Sequence, residues 1–272
     1  MKGGSFLIQS HKSQKEGRKI MNEKEYYEET ANWSFDEFEI IEEKLTNWDL
    51  YEILKSVTNE NSKILDLGTG GGEKVLKYFP DVQEILATDY SPEMIKTANK
   101  NLELSGRKNI TFRVMNNLKM DVEKNYYDVI VARNTVTDLK AIYEALKKDG
   151  YVLIHGVDKY DSHELKRIFG YGQAFFDKKP ISIVDYENAL DAGFKDVTLV
   201  PIHTIEYFKN KELFYKFLKK VPILDDFSEE TENENLNKKE IDQDLLDQYV
   251  KRNTSEKGIR LVRRYYGITG RK

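Results

Sequence analysis

Residues Lys63 to Pro80 read KILDLGTGGGEKVLKYFP. Lys63-Ile64-Leu65-Asp66-Leu67 is an apolar run of strand length, Gly68-Thr69-Gly70-Gly71-Gly72 interrupts it, and Val75, Leu76 and Phe79 carry helical spacing up to Pro80. The stretch predicts a strand, a glycine-rich turn and a helix. Glycine permits positive φ and has no Cβ, so a ligand can lie directly against such a turn. The helix behind it offers unpaired N–H groups and the positive end of its dipole, worth roughly 0.3–1 kcal/mol per well-placed negative group.

Three details narrow the ligand. A dinucleotide fingerprint wants G-x-G-x-x-G, but Gly68-x-Gly70 is followed at the third position by Glu73. Asp66 ends the strand two residues before the first glycine, where a carboxylate repels a pyrophosphate and attracts an ammonium group. Asp89 closes a second apolar strand, Glu84 to Thr88, at about the spacing of an acid that hydrogen-bonds ribose hydroxyls. A ribose joined to a cationic amino-acid end describes S-adenosylmethionine.

D-x-G-T-G-G-G followed by L-A-T-D-Y-S-P-E-M-I resembles the class I (Rossmann-like) S-adenosylmethionine-dependent methyltransferases. The resemblance implies that Asp66, Gly68, Gly70 and Gly72 hold the methionine portion, with Thr69 in the same turn, and that Asp89 holds the ribose. Tyr90 and Met94 would lie near ribose and adenine, although Met94 at helical spacing also fits a core role. After a third strand, Ile110 to Val114, the family often carries an acid and a small residue against adenine. Here Asn116 and Asn117 stand there with Leu118 beside them. An asparagine carbonyl accepts from an exocyclic amine, and which asparagine does so stays open beside a plain surface turn. The resemblance further implies an α/β, doubly wound, mostly parallel sheet of seven strands in the order 3-2-1-4-5-7-6, the last antiparallel. Five βα units, a sixth strand and a terminal strand fit that layout independently.

The fourth strand, Tyr127 to Ala132, ends in Arg133 and Asn134, at the crevice where strand order reverses. Both are cofactor-site candidates, Asn134 also for the methyl acceptor, while Arg133 can equally salt-bridge a nearby acid. His155 ends the fifth strand, Tyr151 to Gly156, on the acceptor side, either as a general base or as a structural histidine. Phe169 to Phe176 is placed to line the acceptor pocket or to pack as core.

The 272 residues are 33% charged and 39% hydrophobic with net charge -4, which points to one α/β domain with appendages and not to a nucleic-acid clamp. Without cysteine there is no disulfide, thiolate site or cysteine nucleophile. The four histidines, His11, His155, His163 and His203, show no metal-ligand spacing, so no metal is expected. No apolar run nears ~18 residues and the start lacks a signal-peptide core, which predicts no membrane span and a cytoplasmic protein.

Residues 1–30 read as a polar, lysine-rich and flexible N-terminal segment with no assigned function, 31–203 with 258–272 as the methyltransferase domain, and 204–257 as a helical insertion covering the acceptor site. Phe35 to Leu54 carries helical spacing, a helical N-terminal extension. Thr204 to Lys220 reads as an amphipathic helix, and Phe194 to Ile202 as the sixth strand. The basic residues of the final strand, Gly258 to Ile268, read as a solvated strand edge. The predicted chemistry is in-line methyl transfer to a small-molecule acceptor. RNA or protein acceptors are the alternative, and a nicotinamide oxidoreductase or a non-catalytic binding protein stands behind them.

Overall fold

The computed structural model describes residues 35–225 and 240–272, so the reading of residues 1–30 and of the middle of the insertion lies outside the described residues. The strands are β1 (Ile41–Lys44), β2 (Lys63–Leu67), β3 (Glu84–Asp89), β4 (Ile110–Val114), β5 (Tyr127–Arg133), β6 (Leu146–Val157), β7 (Lys195–Phe208), β8 (Thr254–Ser255) and β9 (Gly258–Arg271). The helices are α1 (Leu50–Ser56), α2 (Glu73–Tyr78), α3 (Pro92–Ser105), α4 (Leu139–Ala145), α5 (His163–Phe169), α6 (Ile181–Ala192), α7 (Lys211–Lys220) and α8 (Gln243–Asn253).

One sheet runs β1-β7-β9-β6-β5-β2-β3-β4, with β8 paired to β9. The block β6-β5-β2-β3-β4 is parallel, and every pairing beyond β6 is antiparallel. Among the described residues the sheet therefore has nine strands where seven are expected, with β1 and β8 added around the antiparallel half. Ile41 to Lys44, read as helix, instead pairs with Tyr207 to Thr204. Without it the outer edge of β7 would expose a row of unpaired backbone groups, and the short charged sequence IEEK makes a poor template for further pairing.

The sixth strand likewise runs on to Phe208, six residues past its expected end. Ile202, Thr204 and Ile205 are β-branched, and the helix begins only at Asn210, whose side chain accepts from Leu213 N at 2.9 Å. Thr204 to Phe208, read as the start of a helix, is therefore strand. β9, read as a solvated edge, is an interior strand between β7 and β6.

Side chains alternate across the parallel block. Leu65, Leu67, Ile130, Val152 and Ile154 face α4 and α6, while Ile64, Val129, Val131 and Leu153 face α1, α2 and α3. Burial on both faces is why these strands read as unbroken apolar runs. The β7–β9 ribbon continues past the end of β6, from the Val157↔Tyr265 pair to the Phe208↔Ile259 pair. At about 3.3 Å per residue it projects roughly 20 Å beyond the carboxyl edge. Phe208, Phe214, Phe217, Leu246 and Tyr249 form a third core around it, joining α5, α7 and α8. The Phe169 to Phe176 stretch joins this lobe: Phe169 is in its core, and Gln173 N donates to Ile223 O at 3.0 Å.

Candidate active site

Strands β2, β3 and β5 bring the glycine turn, Asp89 and Arg133 to one edge. Gly68 N and Thr69 N both donate to Thr88 O at 2.9 Å, tying the turn to β3. Gly70 N donates to Asp89 Oδ2 and Ser91 N to Asp89 Oδ1, each at 2.9 Å. Turn and helix start therefore grip one carboxylate, whose oxygens each keep a further lone pair. Burial raises the Asp89 carboxyl above its ordinary range, against the pull of those backbone donors. Ser91 caps α3 as its sequence predicts, accepting from Met94 N at 3.3 Å.

The turn's glycines are needed for shape. Gly72 has φ 79°, and a Cβ there would stand 2.6 Å from the Phe112 ring. Gly72→Ala should cost about 1–3 kcal/mol of stability in urea unfolding, from strained φ and overpacking together.

Asp66 is fully buried. Its Oδ2 accepts from Arg133 Nη2 at 3.0 Å and its Oδ1 from Arg133 Nε at 3.3 Å, a fork geometry. Arg133 Nη1 lies 3.5 Å from the Tyr51 hydroxyl on α1. Burial disfavours the guanidinium charge, but Asp66 and Tyr51 together outweigh it and the Arg133 pKa rises. The carboxylate expected to attract a ligand ammonium is thus already charge-balanced inside the chain.

On the β4 side, Asn116 Oδ1 caps a short 3₁₀ turn through Leu118 N at 2.9 Å. Asn117 is buried, and its Nδ2 donates to Thr135 Oγ1 at 2.9 Å. The Asn117 Oδ1 and Thr69 Oγ1 atoms are buried without a hydrogen-bond partner. Tyr90 and Leu118 are exposed apolar surfaces, whereas Met94 is buried.

On the β6 side, His155 stands opposite Gly267 of β9. A Cβ on Gly267 would lie 2.5 Å from the Trp48 indole, so Trp48 rests on bare backbone, 6.3 Å from the His155 ring and stacked with it. The Tyr265 ring lies 5.1 Å from the His155 ring, tilted against it. The imidazole is half-buried, and its pKa is pushed down to about 4, first by burial and then by Arg133. Beyond it Arg263, read as a solvated strand-edge cation, is buried. Its Nε donates to Asp161 Oδ1 at 3.0 Å and its Nη1 to Glu206 Oε1 at 3.2 Å.

The candidate residues thus form two groups, the glycine turn with Asp66, Asp89, Asn117 and Arg133, and Asn134 with His155. Sequence reasoning missed Trp48, Tyr51 and Tyr265 as site neighbours. The one available signal was Gly267, a glycine inside a strand. Surface depressions of about 230 Å³ beside Lys195 and 430 Å³ beside Lys257 lie at the far sheet edge and the ribbon tip, away from these groups.

Residues 58–219 match the family model described as a methyltransferase domain. The chain belongs to the methyltransferase domain family. Among curated relatives, the ubiquinone/menaquinone biosynthesis C-methyltransferase UbiE of Rickettsia akari is 23% identical over 176 residues, covering 62% of this chain and 71% of that protein. The structure of a putative methyltransferase from Bacillus halodurans superposes with TM-score 0.52 at 16% identity, covering 82% of this chain and 98% of that one. The [4+2]-cyclase SpnF superposes with TM-score 0.50 at 15% identity, covering 82% and 80%, a likeness of fold alone. This methyltransferase is S-adenosylmethionine-dependent and of the Rossmann-like class I fold. Among its described residues no helix is long and apolar enough to cross a membrane, and no three His, Cys, Asp or Glu side chains cluster as a metal site.

Proposed function

We propose that the methyltransferase holds S-adenosylmethionine across the glycine turn and directs its methyl group to a small-molecule acceptor on the β6 side. The observation that carries this is the Gly70 N–Asp89 Oδ2 bond, which joins turn and acid into one cradle with free carboxylate lone pairs for two ribose hydroxyls. The unpartnered buried Asn117 carbonyl needs a donor, and the adenine amine is one. This favours Asn117 over Asn116, whose carbonyl is spent on its cap. Tyr90 and Leu118 supply apolar surface for the base. The cofactor's amino-acid end is a zwitterion, and Arg133, whose side chain keeps 11% exposure beside the fully buried Asp66, offers a cation to its carboxylate.

Bound there, the cofactor supplies a methyl carbon made electrophilic by its sulfonium. Holding an acceptor in line with it can be worth about 7–11 kcal/mol. The chain's part is to orient the two and exclude water, for which Trp48, Tyr51 and Tyr265 are the nearest walls and the lobe of α5, α7 and α8 the cover. A small acceptor is favoured over RNA because Arg263, central to the basic cluster of β9, is consumed by Asp161 and Glu206.

Calorimetry with S-adenosylmethionine and S-adenosylhomocysteine tests the cradle, and one-to-one binding of both is expected. A chain that binds neither overturns the proposal. Labelled S-adenosylmethionine offered with fractionated metabolites then reads the acceptor, with label expected in a low-molecular-weight product and not in RNA or protein.

A further inference from the structure

Asn134 is one of the few non-glycine residues with a left-handed backbone, at φ 50°. That conformation turns both its polar groups onto His155. Its N–H donates to the His155 carbonyl at 2.8 Å, and its side-chain Oδ1 lies 3.3 Å from His155 Nδ1. An amide oxygen only accepts, so the imidazole proton is held at Nδ1 and the Nε2 lone pair is left open. Trp48 on Gly267 and Tyr265 both pack against the ring and restrict its turning. We propose that His155, held in this tautomer by Asn134 as positioning residue, takes the hydroxyl proton of an aromatic acceptor during methyl transfer. The inference rests on the cofactor reading above and adds the acceptor's class to it.

Charge separates a hydroxyl from an amine. The buried carboxylates of Asp66, Asp161 and Glu206 are already committed, the first to Arg133 and the other two to Arg263. None of these three is left to hold an ammonium group, and Arg133 repels one. A flat, uncharged ring bearing a hydroxyl suits the tryptophan and tyrosine beside His155 and brings the O–H that Nε2 can accept. Burial, Arg133 and Arg263 lower the His155 pKa, while a hydrogen bond to its own backbone and Asp49 raise it, leaving it about 4. The Tyr265 hydroxyl, pushed upward mainly by burial, stays protonated beside it. So weak a base cannot strip an ammonium or a resting phenol beforehand. It suffices for a hydroxyl proton that becomes strongly acidic as the oxygen gains a carbon. In that step the oxygen bonds the methyl carbon, the S–CH₃ bond breaks with its electron pair left on sulfur, and the proton passes to Nε2 and on to water.

The test uses the full chain. Nitrogen NMR of ¹⁵N-histidine protein at pH 7, with His155→Asn to assign the signal, should show His155 neutral with its proton on Nδ1, and Asn134→Ala should mix the two tautomers. With catechol as the probe acceptor, kcat should fall about 10²–10⁴-fold in His155→Asn with a smaller change in KM. Asn134→Ala should lower kcat, and Asn134→Asp, which keeps an oxygen acceptor, should restore most of it. A wild-type His155 protonated at Nε2, an unchanged kcat in His155→Asn, or methylation of benzylamine in preference to catechol would each overturn the proposal. Wild-type calorimetry with S-adenosylmethionine is read separately: its failure removes the cofactor reading, while the tautomer measurement needs no cofactor.

Discussion

Arg133→Met should lower the unfolding free energy by about 3–5 kcal/mol, because it strands a buried carboxylate. Asp66 is fully buried, and the Arg133 side chain is only 11% exposed, so water cannot replace the lost partner. The reciprocal Asp66→Leu should cost a similar amount by stranding the guanidinium. The double variant should be much closer to wild type than the sum of the two, since two apolar groups in place of a buried ion pair are often neutral. Urea unfolding of the four proteins at pH 7 measures this. Additive losses, or an Arg133→Met loss under 1 kcal/mol, would mean that the pair does not act as one buried unit.

The same pair marks the limit of what the sequence discloses. The glycine turn and the capped start of α3 are legible because their chemistry is local, and the two acids because each stands at the carboxyl end of an apolar strand beside that turn or that cap. Arg133 meets Asp66 across 67 positions, and nothing in either neighbourhood announces the other. Arg263 reaches Asp161 and Glu206 across 102 and 57 positions, and so a run of arginines that reads as solvated is in part a buried network. β1 was hidden for another reason. Four residues are too few for period two to outweigh the helical spacing around them, and their pairing depends on an edge that exists only once β7 has formed. The overlong β7 follows from the same assembly, since Thr204 to Phe208 becomes strand by pairing with β9 and β1 on its two sides. Trp48 left a trace in the sequence only as the absence of a side chain at Gly267.

For the cofactor, the larger loss should come from Asp89. Asp89→Ala removes the acceptor of Gly70 N and Ser91 N and, in the proposed complex, the acceptor of both ribose hydroxyls. Hydrogen bonds to a charged group contribute about 1.5–3 kcal/mol each, so two lost ribose bonds correspond to about 3–6 kcal/mol, or 10²–10⁴ in affinity. Asp89→Asn separates the two functions. Its one oxygen can still accept from a hydroxyl or from the turn, but its NH₂ faces a backbone donor, and an intermediate loss of about tenfold is expected. Asn117→Ala removes a single acceptor for the adenine amine and should cost less than Asp89→Ala, roughly 1 kcal/mol as a neutral hydrogen bond. Calorimetric titration of S-adenosylmethionine into the three variants, with thermal melts to confirm folding, ranks them. Binding by folded Asp89→Ala within threefold of wild type would place the ribose elsewhere, and the bond between Gly70 and Asp89 would then be a fastening of the turn and nothing more.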